Sequence, residues 1–151
     1  MRAGRGGSCT STFLIALLIA SLCSGCGLKG TRGGIPPEVD SLVGTVSDDI
    51  AEERYDKIYE ESSELWKRDT TKERSAEVLK TLHSKLGDVE SRVLHSATEQ
   101  QNSGGELKGR AFIISFQTKF ERGEGMETFT LIEENGRWLL ARYLVNSTAL
   151  K

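Results

Sequence analysis

The sequence predicts an α+β domain in which helices come first and a four-stranded antiparallel sheet follows. Three observations lead there. Apolar residues recur at helical spacing from Val39 to Leu86, the period changes to two from Val89 onward, and the alternating segments are separated by links rich in Gly and Asn. A chain of 151 residues has room for one such core and a short appendage.

Val39, Leu42, Val43, Val46 and Ile50 share one helical stripe, and Pro37 suits a first turn, where its missing amide hydrogen would have had no partner. Tyr55, Ile58, Tyr59, Leu65 and Trp66 continue the apolar pattern, and Ser47-Asp48-Asp49 offers a cap for a fresh start. This stretch reads as one long helix or two abutting ones, ending before Asp69. Thr70 or Thr71 caps the next helix, Glu73 favours the positive end of its dipole, and Ala76, Leu79, Leu82 and Leu86 line one side. Gly87 stands where a left-handed terminal residue is wanted.

Val89, Val93, His95 and Ala97 then alternate with Glu90, Arg92, Leu94 and Ser96, which predicts a strand whose His95 faces inward, followed by a loop from Glu99 to Glu106. Phe112, Ile114, Phe116, Thr118 and Phe120 mark a half-buried strand. METFTLIEE gives a third, Asn135-Gly136 a tight hairpin turn, and RWLLARYLVNS a fourth. The short links predict an antiparallel meander with the helices on one face.

A formal charge of -2, with Lys and Arg interleaved among Asp and Glu, gives no electrostatic reason to expect nucleic acid as a partner. The amino end is different in kind: Arg2 and Arg5 precede FLIALLIASL, an apolar run from Phe13 to Leu22 that is too short to cross a hydrocarbon core needing ~20 apolar residues. Its length and flanks are those of a secretory signal. The segment Leu22-Cys23-Ser24-Gly25-Cys26-Gly27 that follows resembles the lipobox of bacterial lipoproteins, with Cys23 standing where Leu is usual. The resemblance implies cleavage after Gly25, a lipid on the Cys26 thiol, and a protein held on a membrane of the bacterial cell envelope, facing the periplasm or the exterior. Two or more acyl chains make such an attachment durable. Residues 1–25 would be the signal peptide, 26–37 a flexible Gly-rich tether, and 38–151 a single α+β domain. The C-x-x-C spacing of Cys23 and Cys26 also fits a redox pair or half a zinc site, but Cys9 is the only other cysteine and no second ligand pair follows. Gly25-x-Gly27-x-x-Gly30 lacks the helix that a dinucleotide loop requires.

The order of elements, together with Tyr55-Asp56-Lys57-Ile58-Tyr59, Leu86-Gly87, Phe120-x-x-Gly123, Met126-Glu127-Thr128-Phe129-Thr130-Leu131 and Glu134-Asn135-Gly136-Arg137-Trp138, resembles small bacterial, often lipid-anchored domains of unknown function with the nuclear-transport-factor-like, or cystatin-like, fold. That resemblance implies a sheet curved into a cone around the leading helices. It covers about Leu42 to Ser147. Its motifs are turn glycines and core aromatics, none of them catalytic, so it implies a fold more than an activity; no H-E-x-x-H or second histidine at ligand spacing points to a metal, and no cofactor is expected. Tyr59, His95 and Trp138 are the candidates to line a pocket, and His83 is assigned no role. Two functions are expected to compete. One is a membrane-tethered, non-enzymatic module binding a small apolar ligand or an envelope protein; the other is a small isomerase- or dehydratase-like enzyme built on His95.

Overall fold

A computed structural model describes residues 34–151; the expected signal peptide, Cys26 and most of the tether lie outside the described residues. Helix α1 (Pro37–Ala51) opens after an extended Pro36 and carries Glu38 and Asp40 in its first turn, where carboxylates favour the positive end of the dipole. Val39, Val43 and Val46 form its buried stripe. The anticipated fresh start at Ser47 to Asp49 does not occur, because these residues stay within α1. The chain turns at Glu53, whose φ of 56° is left-handed, and the Arg54 amide donates back to the Asp49 carbonyl at 2.7 Å. The buried Asp49 carboxylate holds this corner by accepting from Arg54 Nε at 2.7 Å and Lys57 Nζ at 3.1 Å.

What the periodicity presents as one or two helices is therefore three. Helix α2 (Tyr55–Glu61) buries Tyr55 and Ile58, and α3 (Glu64–Asp69) starts at Ser63, whose hydroxyl accepts from the Trp66 amide at 3.3 Å. Helix α4 (Lys72–Leu86) is capped by Thr71 and ends at Gly87, with φ 76°, as expected from the sequence.

Strands β1 (Val89–Asn102), β2 (Gly109–Phe120), β3 (Gly123–Glu134) and β4 (Arg137–Ser147) form one antiparallel sheet in chain order, closed by a short 3₁₀ turn at Thr148–Leu150. The β3–β4 hairpin turns at Asn135 and Gly136, both at positive φ, the geometry that matches the twist of paired strands. Strand β1 runs four residues past its expected end, because Glu99 to Asn102 pair with Phe112 to Gly109. The domain is thus α+β with leading helices and a four-stranded sheet, but the sheet is not strongly curled. Four strands with two free edges do not wrap into a closed cone, and Leu94, which pairs with Phe116, is left exposed on β1.

The main core lies between one sheet face and helices α1, α2 and α4, uniting Val39, Val43, Ile58, Leu79, Ile114 and Phe129. The helices do not all stay on that face. Ala111 and Ile132 are directly paired, on the opposite face from Phe112 and Leu131, and Leu65 of α3 packs with them and Ala141. The link that carries α3 round the β4 edge is itself bonded to that edge, with the Ser63 amide donating to the Leu140 carbonyl at 2.9 Å.

Gly125 marks the tightest approach within the sheet. A Cβ there would stand 2.7 Å from the Asn146 carbonyl oxygen and 2.9 Å from Ser147 Cβ. Gly125→Ala is expected to lower stability by about 1–3 kcal/mol through overpacking against backbone, measured by urea denaturation.

Candidate functional site

One end of the helix–sheet interface opens into a cavity of about 370 Å³ between α1, α4 and the start of β1. Its walls are the apolar side chains of Ile50, Leu79, Leu82, Leu86 and Phe120, and its polar floor is Arg92. The volume and the mixture of apolar wall with a few convergent polar groups suit a small-molecule site.

Arg92 reaches inward because β1 is bulged. Register shifts between Val89 and Ser91 and between Leu94 and Ser96 pair Arg92 with Thr118, Leu94 with Phe116 and Ala97 with Ile114, so these residues share the helix-facing side. The Arg92 guanidinium donates through Nε and Nη2 to the two oxygens of Glu127 at 2.5 and 2.7 Å, and through Nη1 to the Ser47 hydroxyl at 2.8 Å. The Glu127 side chain is 0% exposed and also accepts from Thr118 Oγ1 at 2.9 Å and Tyr143 OH at 2.8 Å. Four donors therefore saturate one buried carboxylate. Arg92 also lies within 6 Å of the Phe116 and Phe129 rings.

Burial, and then the neighbouring Glu127 charge, push the Tyr143 phenol well above its ordinary pKa. The folded chain thus holds this proton more tightly than the unfolded chain does. Stability should be flat below the ordinary phenol pKa of about 10 and fall as pH rises above it, by up to about 1.4 kcal/mol per pH unit from this group. Tyr143→Phe is expected to lose about 1–2 kcal/mol at pH 7 with its hydrogen bond to a charged acceptor, and its deficit relative to wild type should shrink above pH 10. Urea denaturation of both proteins between pH 7 and 11 reads this difference.

At the cavity rim, His83 Nε2 lies 2.8 Å from Asp88 Oδ1 and Nδ1 lies 3.0 Å from Tyr55 OH. A carboxylate only accepts, so the neutral tautomer places its proton on Nε2 and leaves Nδ1 to accept from the phenol. Burial, then the Glu53 and Asp88 charges, raise the Tyr55 pKa, which makes its hydroxyl a poorer nucleophile. His83 is half-buried and joins α4 to α2 through Tyr55 and to the link before β1 through Asp88, in contrast to the surface position without a role read from its lysine-rich helix.

Tyr59, His95 and Trp138 are not brought together. His95 is exposed at the second β1 bulge, where the extra residue removes it from the strict alternation that would have turned it inward. Tyr59 is half-buried on α2, and neither it nor His95 lines the cavity. Trp138 packs edge-on against Phe112 at 6.2 Å under the Arg110 guanidinium, and borders a separate, shallow recess beside Pro36. Cys26 lies outside the described residues. Among the described residues no group of three or more His, Cys, Asp or Glu could hold a metal ion.

The residues that sequence reading missed carry a signal in hindsight. Glu127 is in phase with Phe129 and Leu131, and Thr118 with Phe116 and Phe120, so each puts a polar group on an apolar face.

Comparison with curated proteins gives no match. Residues 45–143 match a family model described as a protein of unknown function, DUF4019. That span begins in α1 and ends at Tyr143, and it includes Ser47, His83, Arg92, Thr118 and Glu127. The chain belongs to the DUF4019 family of proteins of unknown function.

Proposed function

We propose that this protein is a membrane-tethered, non-enzymatic module of the bacterial cell envelope that holds a small, largely apolar ligand between its helices and its sheet. The observation that carries the reading is the cavity itself: a chamber of about 370 Å³ with apolar walls, whose one charged floor residue, Arg92, is already neutralised by a buried partner, and whose rim carries Asp48 and Asp88. Leading helices, with α1, α2 and α4 over one face of an antiparallel sheet, support the nuclear-transport-factor-like assignment. The lipobox resemblance at Cys26 supports the tether, and among the described residues no helix is long and apolar enough to cross a membrane.

The competing enzyme would need an oriented acid or base with a free valence toward substrate. His95 is exposed, and His83 has both ring nitrogens engaged. This favours binding over catalysis.

Solvent extraction of protein purified from native membranes tests the reading. Wild type should release a bound small molecule, and Ala51→Trp, which places an indole at the exposed cavity rim, should not. Equal recovery from both proteins would overturn it. The intact mass of the same preparation should correspond to a chain starting at Cys26 with added acyl groups, and Cys26→Ser should remain unacylated and unshortened.

A further inference from the structure

Resting on that reading of the cavity, we propose that its ligand is an uncharged amphiphile, with an apolar body and a neutral hydrogen-bond acceptor such as a carbonyl or ester at its head, and that the site discriminates against carboxylate heads. An arginine in a pocket floor ordinarily suggests an anion. Here its charge is spent. Of the five guanidinium hydrogens, two go to Glu127 and one to Ser47. One hydrogen on each of Nη1 and Nη2 remains, and the side chain, 19% exposed, lines the cavity. The floor therefore offers donors without net positive charge.

The surrounding charges deepen the bias. Asp48 and Asp88 line the same cavity. The Glu121 carboxylate accepts from the Asp88 amide, and Arg122, which donates to the His83 carbonyl, is the neighbouring cation on that side. An entering carboxylate would give up its hydration for donors whose charge Glu127 has cancelled, and would meet two rim carboxylates. A ketone or ester oxygen surrenders far less on leaving water and recovers it from the same two hydrogens. Ile50, Leu79, Leu82, Leu86 and Phe120 receive the body.

Two nearly isosteric probes separate the cases: 2-acetylnaphthalene and 2-naphthoate, titrated calorimetrically into the full-length lipidated protein in nanodiscs, with empty nanodiscs as the blank. The ketone should bind at least tenfold more tightly. Because the ketone is also the more apolar molecule, the decisive reading is how the ratio changes. In Asp48→Asn/Asp88→Asn the preference should fall severalfold, and in Glu127→Gln, which uncovers the Arg92 charge, it should fall further or reverse. Should Glu127→Gln fail to fold, the rim double variant carries the test alone. Equal or tighter binding of naphthoate by wild type, or a ratio unchanged in the rim variant, would overturn the proposal while leaving the cavity as a binding site. Binding of neither probe would overturn the cavity reading, and the proposal with it.

Discussion

Glu127→Ala is expected to be among the most damaging single substitutions in the domain, at about 3–5 kcal/mol, because it leaves the Arg92 guanidinium without its buried counterion. The carboxylate is the acceptor for donors on three strands: Arg92 of β1, Thr118 of β2 and Tyr143 of β4 all meet on a residue of β3. Ser47 adds α1 to the same cluster through Arg92. Arg92→Ala should cost a similar amount by stranding the carboxylate instead. The double variant should cost less than the sum by about 1–3 kcal/mol, since neither charge then remains unpaired. Equilibrium denaturation of the four proteins gives the coupling directly, and a coupling near zero would mean that the pair is not formed in solution.

Phe129→Ala should be of the same order, about 3–5 kcal/mol. The ring is 0% exposed in the main core, edge-on to Phe116 at 6.2 Å and tilted against Tyr143 at 5.0 Å. Its removal opens a void among the Phe116 and Tyr143 rings and the Arg92 guanidinium, which lies 5.6 Å from the Phe129 ring centre. Phe129→Leu, which refills most of the space, should cost much less. Chemical denaturation with an unchanged m value would place the loss in stability and not in compactness.

Much of the fold was legible because its signals are local. The hairpin at Asn135-Gly136, the cap at Thr71 and the stop at Gly87 each require a residue type at one position, and each forms as the sequence implies. The break after Ala51 was harder to see. It depends on a left-handed Glu53 and on Asp49 reaching forward to Arg54 and Lys57, neither of which is marked by Gly or Pro. The swing of Leu65 to the far face of the sheet was equally hidden, since periodicity shows that a side is apolar but not which surface it meets.

The site was less legible than the fold, and the reason lies in β1. Strict alternation puts Val93 and His95 inward and Arg92 outward, whereas two bulges reverse this: Arg92 enters the core and Val93 is left 68% exposed. A bulge needs only one unpaired residue, and no composition in this strand announces it. Once Arg92 is inward, Glu127 has its partner. A glutamate in phase with Phe129 then becomes the keystone of the cavity floor.

That the cavity is where this protein meets its ligand is tested most directly by methyl NMR during titration with 2-acetylnaphthalene. Shifts are expected at the methyl groups of Ile50, Leu79, Leu82 and Leu86, with those of Val93 and Leu144, exposed on the sheet at 68% and 63%, unmoved. Shifts confined to Val93 and Leu144, or none at the four cavity residues at saturating probe, would contradict the account.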